Sequence, residues 1–463
     1  MKKLITVDRL LDRKLTIGLT GLSKSGKSTL ITSLINQLVH HDKSKIPGFS
    51  PVRGGELLGV RILPLKDKNL APFPYEKARN NLCEPNPAWP DSTKDISGCL
   101  LELRLTRKPR AINLFKRKNF SLYLELRDYP GEWLLDLPLR DMSFSRWSAQ
   151  CHALYSSEPR AGLIGNLLLD LQEINPLDLV DEKRIKILNG RFKDFLKKCK
   201  MADKSLSQIQ PGRFLLHGKI PDKSILGFVP LFGCAKLSEA QLSSAKKNSY
   251  YKYCERLYKR YVKELIDPFY KIHFGKIDRQ LVLVDVINVL NSGPRYVDDL
   301  RQALANISDS FSYGKQSRLR QLFTPKIDKV VFVATKIDQV LSEDHEAVRQ
   351  LLALLVKQAY SDAAYAGIAP QCEAVAAVRS SAERPVRKQR AILGIDLFGK
   401  NIGYRHPKIP SQFPETDKAW KPFLKWSIPK LQPPVGISAR NEDPLPHIRM
   451  DSLLNILIGD KCL

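Results

Sequence analysis

Residues 21 to 29 read Gly-Leu-Ser-Lys-Ser-Gly-Lys-Ser-Thr, a full match to G-x-x-x-x-G-K-[ST]. The chemistry this spacing supports is phosphate binding. Gly21 and Gly26 free the backbone to curl so that successive N–H groups aim at one anion, with Ser23, Lys24, Ser25 and Thr29 completing the cradle. Lys27 reaches the outer phosphates and Ser28 offers its hydroxyl to Mg²⁺. Further along, Asp128-Tyr129-Pro130-Gly131 forms D-x-x-G. Asp128 supplies a carboxylate toward Mg²⁺, and Gly131 can bring its N–H to a γ-phosphate with no side chain in the way.

A third motif bears on the base. Thr335-Lys336-Ile337-Asp338 matches [NT]-K-x-D. In that pattern the carboxylate accepts hydrogen bonds from guanine N1–H and the 2-amino group while the lysine stem lies along the ring. Adenine lacks those donors, and a buried carboxylate left unpaired against it is costly. The expected ligands are therefore GTP or GDP with Mg²⁺. Two parts rest on position more than on letters. Thr93, ending Trp89-Pro90-Asp91-Ser92-Thr93, precedes a strand where a threonine would close over Mg²⁺. Val378 and Arg379 stand where backbone N–H groups would meet the guanine oxygen.

These side chains need elements to carry them. Leu15-Thr16-Ile17-Gly18-Leu19 suits a buried strand before the phosphate loop, and residues 30–39 suit a helix whose positive end faces the anion. Residues 100–105 and 121–126 alternate apolar and polar at period two and predict an antiparallel hairpin, joined by the basic segment 107–119. Strands are then expected at 280–285, 329–334 and 374–378, with helices near 296–307 and 343–363. This order predicts an α/β fold, a doubly wound and mainly parallel P-loop GTPase core. Residues 47–90 read as an irregular excursion. Between 133 and 279 the periodicity turns helical, with Tyr250, Cys254, Leu257, Tyr258, Tyr261 and Leu265 on one face as core. The reading divides the chain into 1–134 and 280–400 as the two parts of the nucleotide domain, 135–279 as a helical insertion, and 401–463 as a C-terminal segment packed on the core.

Bulk properties bound the rest. The chain has 463 residues, 43% hydrophobic, which suffices for a packed core, and a net charge of +27 that favours an anionic partner such as nucleic acid or a membrane surface. Its eight cysteines stand singly without metal-ligand spacing, as reduced thiols would. No run of eighteen apolar residues and no signal-peptide pattern is seen, so a cytoplasmic protein is expected, at most peripheral at a membrane.

With the three motifs, the segments Pro444-Leu445-Pro446-His447-Ile448-Arg449 and Gly459-Asp460-Lys461 complete a pattern that resembles the YcjX-like family of bacterial stress-associated P-loop proteins. The resemblance spans nearly the whole chain. It implies a GTP-binding fold with a large helical insertion and a cytoplasmic location. Small GTPases carry a glutamine after the switch glycine; here it is Glu132, which can orient water but adds negative charge beside the phosphates. Lys24 occupies the loop slot where guanylate-binding proteins, by resemblance, carry a charge-stabilising arginine. Lys27, Lys24, Gly131 and Glu132 are thus the candidate catalytic residues. The expected function is a slow Mg²⁺-dependent GTPase acting as a switch on an unknown protein partner through its insertion. An ATP-binding NTPase, or a nucleotide-regulated nucleic-acid or membrane-surface protein, is the alternative.

Overall fold

The computed structural model describes residues 13–21, 25–93, 95–107, 118–201, 206–220, 222–311, 327–386, 389–438 and 442–462, with the side chains of 309–311 excepted. Its contacts divide into two compact units.

The first unit comprises Met1–Tyr129, Ile277–Gly293 and Pro325–Leu463 and holds a mixed sheet. Seven strands form its main path: β1 (Arg13–Gly21), β2 (Leu57–Leu63), β3 (Ser97–Thr106), β4 (Asn119–Asp128), β5 (Arg279–Val284), β6 (Lys329–Ala334) and β7 (Ala369–Ala374). They lie in the order β2-β3-β4-β1-β5-β6-β7, and a two-residue strand, Ala71–Pro72, pairs with β3. β4, β1, β5, β6 and β7 are mutually parallel, while β2 and β3 run antiparallel to their neighbours. This is the mainly parallel, doubly wound sheet with helices on both sides.

β1 is buried from Leu15 onward because it lies inside the sheet, and two of its buried residues are the small polar Thr16 and Thr20. Leu15, Ile17 and Leu19 project from one face into a core shared with Leu30, Ile31, Leu34, Ile35 and Leu38 of α1 (Lys27–Val39). Leu281, Leu283, Val331 and Val333 extend that core along β5 and β6. On the other face Gly18 is needed for closeness: a Cβ there would come within 2.8 Å of the Tyr129 hydroxyl and 2.7 Å of Gln280 Oε1. Tyr129 donates to Gln280 Oε1 at 2.5 Å, which ties the end of β4 across to β5.

Several elements lie elsewhere than sequence periodicity places them. The excursion 47–90 contains strand β2 and helix α2 (Tyr75–Cys83). β2 is an edge strand whose apolar side chains are partly exposed, so its pattern carries no strong buried face. The last strand is 369–374 rather than 374–378: β7 is also an edge, with polar Gln371 and Glu373, while the apolar residues that follow are a buried loop. The helix expected over 343–363 is two, α4 (His345–Leu355) and α5 (Lys357–Tyr365), separated at Val356 and preceded by α3 (Val286–Ser292) in the chain. A three-stranded antiparallel sheet follows, β8 (Ser381–Val386), β9 (Gln389–Ile395) and β10 (Asn401–Tyr404), running across residue 400. The tail ends in α6 (Asp417–Lys425) and α7 (Met450–Ile458). Leu453, Leu454, Leu457 and Ile458 of α7 enter the same core as β1 and α1.

The second unit, Pro130–Lys276 with Pro294–Thr324, is helical, and no strand occurs among its described residues. Its helix Tyr250–Tyr261 buries Tyr250, Tyr251, Cys254, Leu257, Tyr258 and Tyr261. The tyrosines are core: Tyr258 stacks on Trp147 with ring centroids 5.6 Å apart, and Tyr261 donates to the buried Asp136 at 2.5 Å. The helix Pro294–Phe311, read from sequence with the nucleotide domain, groups with this unit.

Candidate functional site

Parallel strands put their carboxyl ends on one edge, and this is how distant motifs meet. Leu19 of β1 pairs with Asp128 of β4, Gly21 with Leu283 of β5, Val284 with Ala334 of β6, and Ala334 with Ala374 of β7. The loops after β1, β4, β5, β6 and β7 therefore open at one level. β1 is where the winding reverses, since its two neighbours come from the two sides of the order.

At the phosphate loop, Gly21 must be glycine, because a Cβ would lie 2.0 Å from Ser25 Oγ. Gly26 is left-handed, φ 80°, and caps α1 with no side-chain hydrogen bond and no acidic residue in the first turn. The first N–H groups of α1 thus lack a side-chain partner, the arrangement that receives an anion. Ser23 and Lys24 lie outside the described residues.

Lys27, Ser28, Thr93 and Asp128 come together as the sequence reading expects. Lys27 Nζ donates to Thr93 Oγ1 at 2.6 Å and ion-pairs with Asp128. Thr93 donates in turn to Asp128 Oδ2 at 2.7 Å, Ser28 Oγ lies 3.4 Å from Thr93 Oγ1, and Ser28 also donates to the Asp91 carbonyl at 2.9 Å. One carboxylate and two hydroxyls are hard oxygen donors of the kind Mg²⁺ takes when phosphates and water fill the rest of its shell. The Lys27 ammonium, buried with Asp128, neutralises that carboxylate here.

The base side is equally convergent. Thr335 Oγ1 donates to the Ser25 carbonyl at 3.0 Å, which fastens the loop after β6 to the phosphate loop. Lys336 is left-handed at φ 62°, and its Cε lies 3.9 Å from where a Cβ on Gly26 would stand. Its ammonium pairs with Asp285 at 2.6 Å. Asp338 is buried, and burial pushes its carboxyl above the usual aspartate range although Ser380 opposes this through its N–H at 2.8 Å and Oγ at 2.7 Å.

Two side-chain contacts here escaped the sequence reading, which took 376–380 only as a source of backbone N–H groups. Ser380, two positions beyond Val378, is the partner that orients Asp338. Asp285 caps α3 through Oδ1 and holds Lys336 through Oδ2. Its signal was available, since it is an acidic residue ending an apolar strand, as Asp128 is. Val378 and Arg379 are placed differently from expectation. The Val378 side chain packs with Leu82 and Leu445, and the Arg379 N–H donates to the Pro446 carbonyl at 2.7 Å, so that donor is already engaged. Gly131 and Glu132 fall at the start of the second unit, where buried Glu132 pairs with Lys200 at 2.6 Å.

The tail segment also acquires a place. Leu445 is held by Asn36 and Gln37 of α1 at 2.8 and 2.7 Å, and Ile448 exchanges two backbone hydrogen bonds with Ala376. Ser33 of α1 donates to the Ala377 carbonyl at 2.5 Å. Residues 445–448 thus strap the loop after β7 to the phosphate-loop helix.

The fold and this constellation define a P-loop GTPase-type core with a helical insertion. Within that class, the family model described as the YcjX-like family, DUF463, matches residues 15–462, and the chain belongs to that family. It is 35% identical over 461 residues to the Ras-like GTPase YcjX of Escherichia coli, covering 98% of this chain and 97% of that one. It is 34% identical over 476 residues to the Ras-like GTPase YcjX of Shewanella oneidensis, covering 98% and 96%.

Proposed function

We propose that this protein binds GTP and GDP with Mg²⁺, hydrolyses GTP slowly to GDP and phosphate, and uses the difference as a switch on a partner met by its helical insertion. The observation that carries the reading is the convergence of two separate chemistries on one sheet edge: Lys27, Ser28, Thr93 and Asp128 on one side, and Asp338 held by Ser380 on the other. The names of the two relatives support it.

In this reading the uncapped first turn of α1 receives the phosphates, and Lys27 leaves Asp128 to follow them. Ser28, Thr93 and Asp128 are the residues that would hold Mg²⁺, which would there spread the negative charge that develops on the phosphate oxygens. Asp338 accepts the guanine N1–H and amino protons while Ser380 holds its carboxylate in plane, and Lys336 lies along the base. Gly131 and Glu132 follow the switch carboxylate in sequence. Glu132 stands, in sequence, where small GTPases carry a water-orienting glutamine, and a carboxylate at that sequence position supports slow turnover. Lys24 is proposed to share in stabilising the transferring charge. No described helix is long and apolar enough to cross a membrane, and we place the protein in the cytoplasm with access to a membrane surface.

Competition binding with GTP and ATP, with and without Mg²⁺, tests the reading. Equal affinity for the two nucleotides would remove guanine recognition from it.

A further inference from the structure

We propose that the turn at residues 396–400 is a membrane-contact tip that inserts Leu397 and Phe398 into the surface of an anionic bilayer. The turn joins β9 to β10 and is built rigidly. Asp396 Oδ1 accepts from the N–H groups of Phe398 and Lys400, both at 2.9 Å, the Asp396 N–H donates to the Lys400 carbonyl at 2.9 Å, and Gly399 takes the left-handed φ of 82° that closes it. Its base is fixed as well, since Gln432 donates to the Ile395 carbonyl at 2.9 Å and Leu431 bridges Asp396. The one carboxylate of the tip is consumed by its own backbone.

What this frame presents is apolar. Phe398 is 95% exposed and Leu397 53% exposed, side by side at the apex. Phenylalanine this exposed on a preordered turn has no role in the core beneath it, and it meets a ligand without an ordering cost. Two exposed cations stand beside it. Lys400 ends the turn, and Lys430, one residue before the Leu431 bridge, falls across from Leu397. An apolar apex flanked by lysines on a chain of net charge +27 fits a negatively charged lipid surface, where apolar burial and headgroup attraction act together. Two side chains are too few for the roughly 800 Å² per partner of a stable protein interface, which disfavours a protein pocket as the occupant.

Cosedimentation of the full chain with vesicles of phosphatidylcholine, alone or mixed with phosphatidylglycerol, tests this. The unaltered protein is expected to pellet with the anionic vesicles and to be released by salt. The double variant Leu397→Ser, Phe398→Ser should lower partitioning at least about tenfold with GTP affinity unchanged. Phe398→Trp should show a blue-shifted tryptophan emission when anionic vesicles are added. Pelleting that survives the double serine change would overturn the assignment, as would an emission spectrum of the Phe398→Trp variant that ignores vesicles. Protection of the tip by a protein, with no response to either vesicle, would overturn the lipid assignment in favour of a protein partner.

Discussion

Asp460 clasps Arg279 through two contacts, Oδ1 to Nη1 at 2.6 Å and Oδ2 to Nη2 at 2.5 Å, and so binds the far end of the tail to the first residue of β5. Arg279 is 1% exposed and is also held by Asp328 and by the Leu457 carbonyl. The planar fork of the guanidinium lets one buried cation satisfy three separate acceptors. The Gly459-Asp460-Lys461 ending is therefore a structural clamp on the sheet that bears the site.

Asp460→Ala is expected to destabilise the first unit by about 1 kcal/mol, because Asp460 is half exposed and the buried arginine keeps Asp328 and the Leu457 carbonyl. Burial raises the Asp460 carboxyl, but hydrogen bonds from Arg279 outweigh it and leave it at about 2. A depressed value means the folded state binds its proton less tightly than the unfolded chain. The clamp is thus intact above about pH 4 and fades as pH falls toward 2. Thermal melts of both proteins between pH 2 and pH 6 check this, and the variant's curve should be the flatter one.

Asp338→Asn should lower GTP affinity roughly a hundredfold, since two hydrogen bonds to a charged acceptor are lost. Preference should move toward xanthosine nucleotides, whose ring offers an acceptor where guanine offers a donor. The raised Asp338 carboxyl adds a pH signature: a protonated side chain turns one of its two acceptor oxygens into a donor and loses the charge, so affinity should decline on acidification sooner than an ordinary aspartate would cause. Fluorescent-nucleotide titrations across pH measure both effects.

Lys27→Ala produces opposite changes in two ligands. Triphosphate affinity should fall by at least about a hundredfold, while Mg²⁺ added without nucleotide should bind more tightly than to the unaltered protein. The ammonium that occupies Asp128 is then gone and the carboxylate is open to a divalent ion. Isothermal titration with Mg²⁺ alone and with GDP separates the two.

Asp285→Ala should weaken GTP by roughly three- to tenfold with kcat unchanged, through loss of the anchor on Lys336. The change should appear in KM. A fall in kcat at constant KM would assign Asp285 some other role.

In the second unit, buried Asp136 accepts from Gly212 N–H at 2.8 Å, Arg213 N–H at 3.2 Å and the Tyr261 hydroxyl at 2.5 Å. Burial outweighs these and raises its carboxyl to about 6. The folded state then holds this proton more tightly than the unfolded chain, so the contribution is full below about pH 4 and is lost as pH rises through 6. Asp136→Asn should remove that slope from the melting curve of the helical unit.

Much of the nucleotide side was legible in the letters. A phosphate loop needs its glycines and lysine at fixed spacing, and Asp128 and Thr93 sit at strand boundaries that alternation exposes. β1 and β6 were readable because both faces are buried and most of their buried residues are apolar. β2 and β7 were not, because an edge strand needs no second apolar face. Val378 and Arg379 were read at the right loop, yet Ser380 makes the contact: which residue of a loop turns toward a carboxylate depends on what holds the loop. Here that is Pro446, Ile448 and Ser33, from segments distant in the chain.

The order of residues alone determined the three nucleotide-type motifs and the alternation of strands with helices, because each is a local rule of spacing that holds wherever the chain goes. The tertiary structure decided that Asp285 holds Lys336, that Asp460 reaches Arg279, and that residues 445–448 lie between α1 and the loop after β7. Those are meetings between distant segments. They are set by strand order and packing of the whole sheet, quantities that no short window of sequence contains.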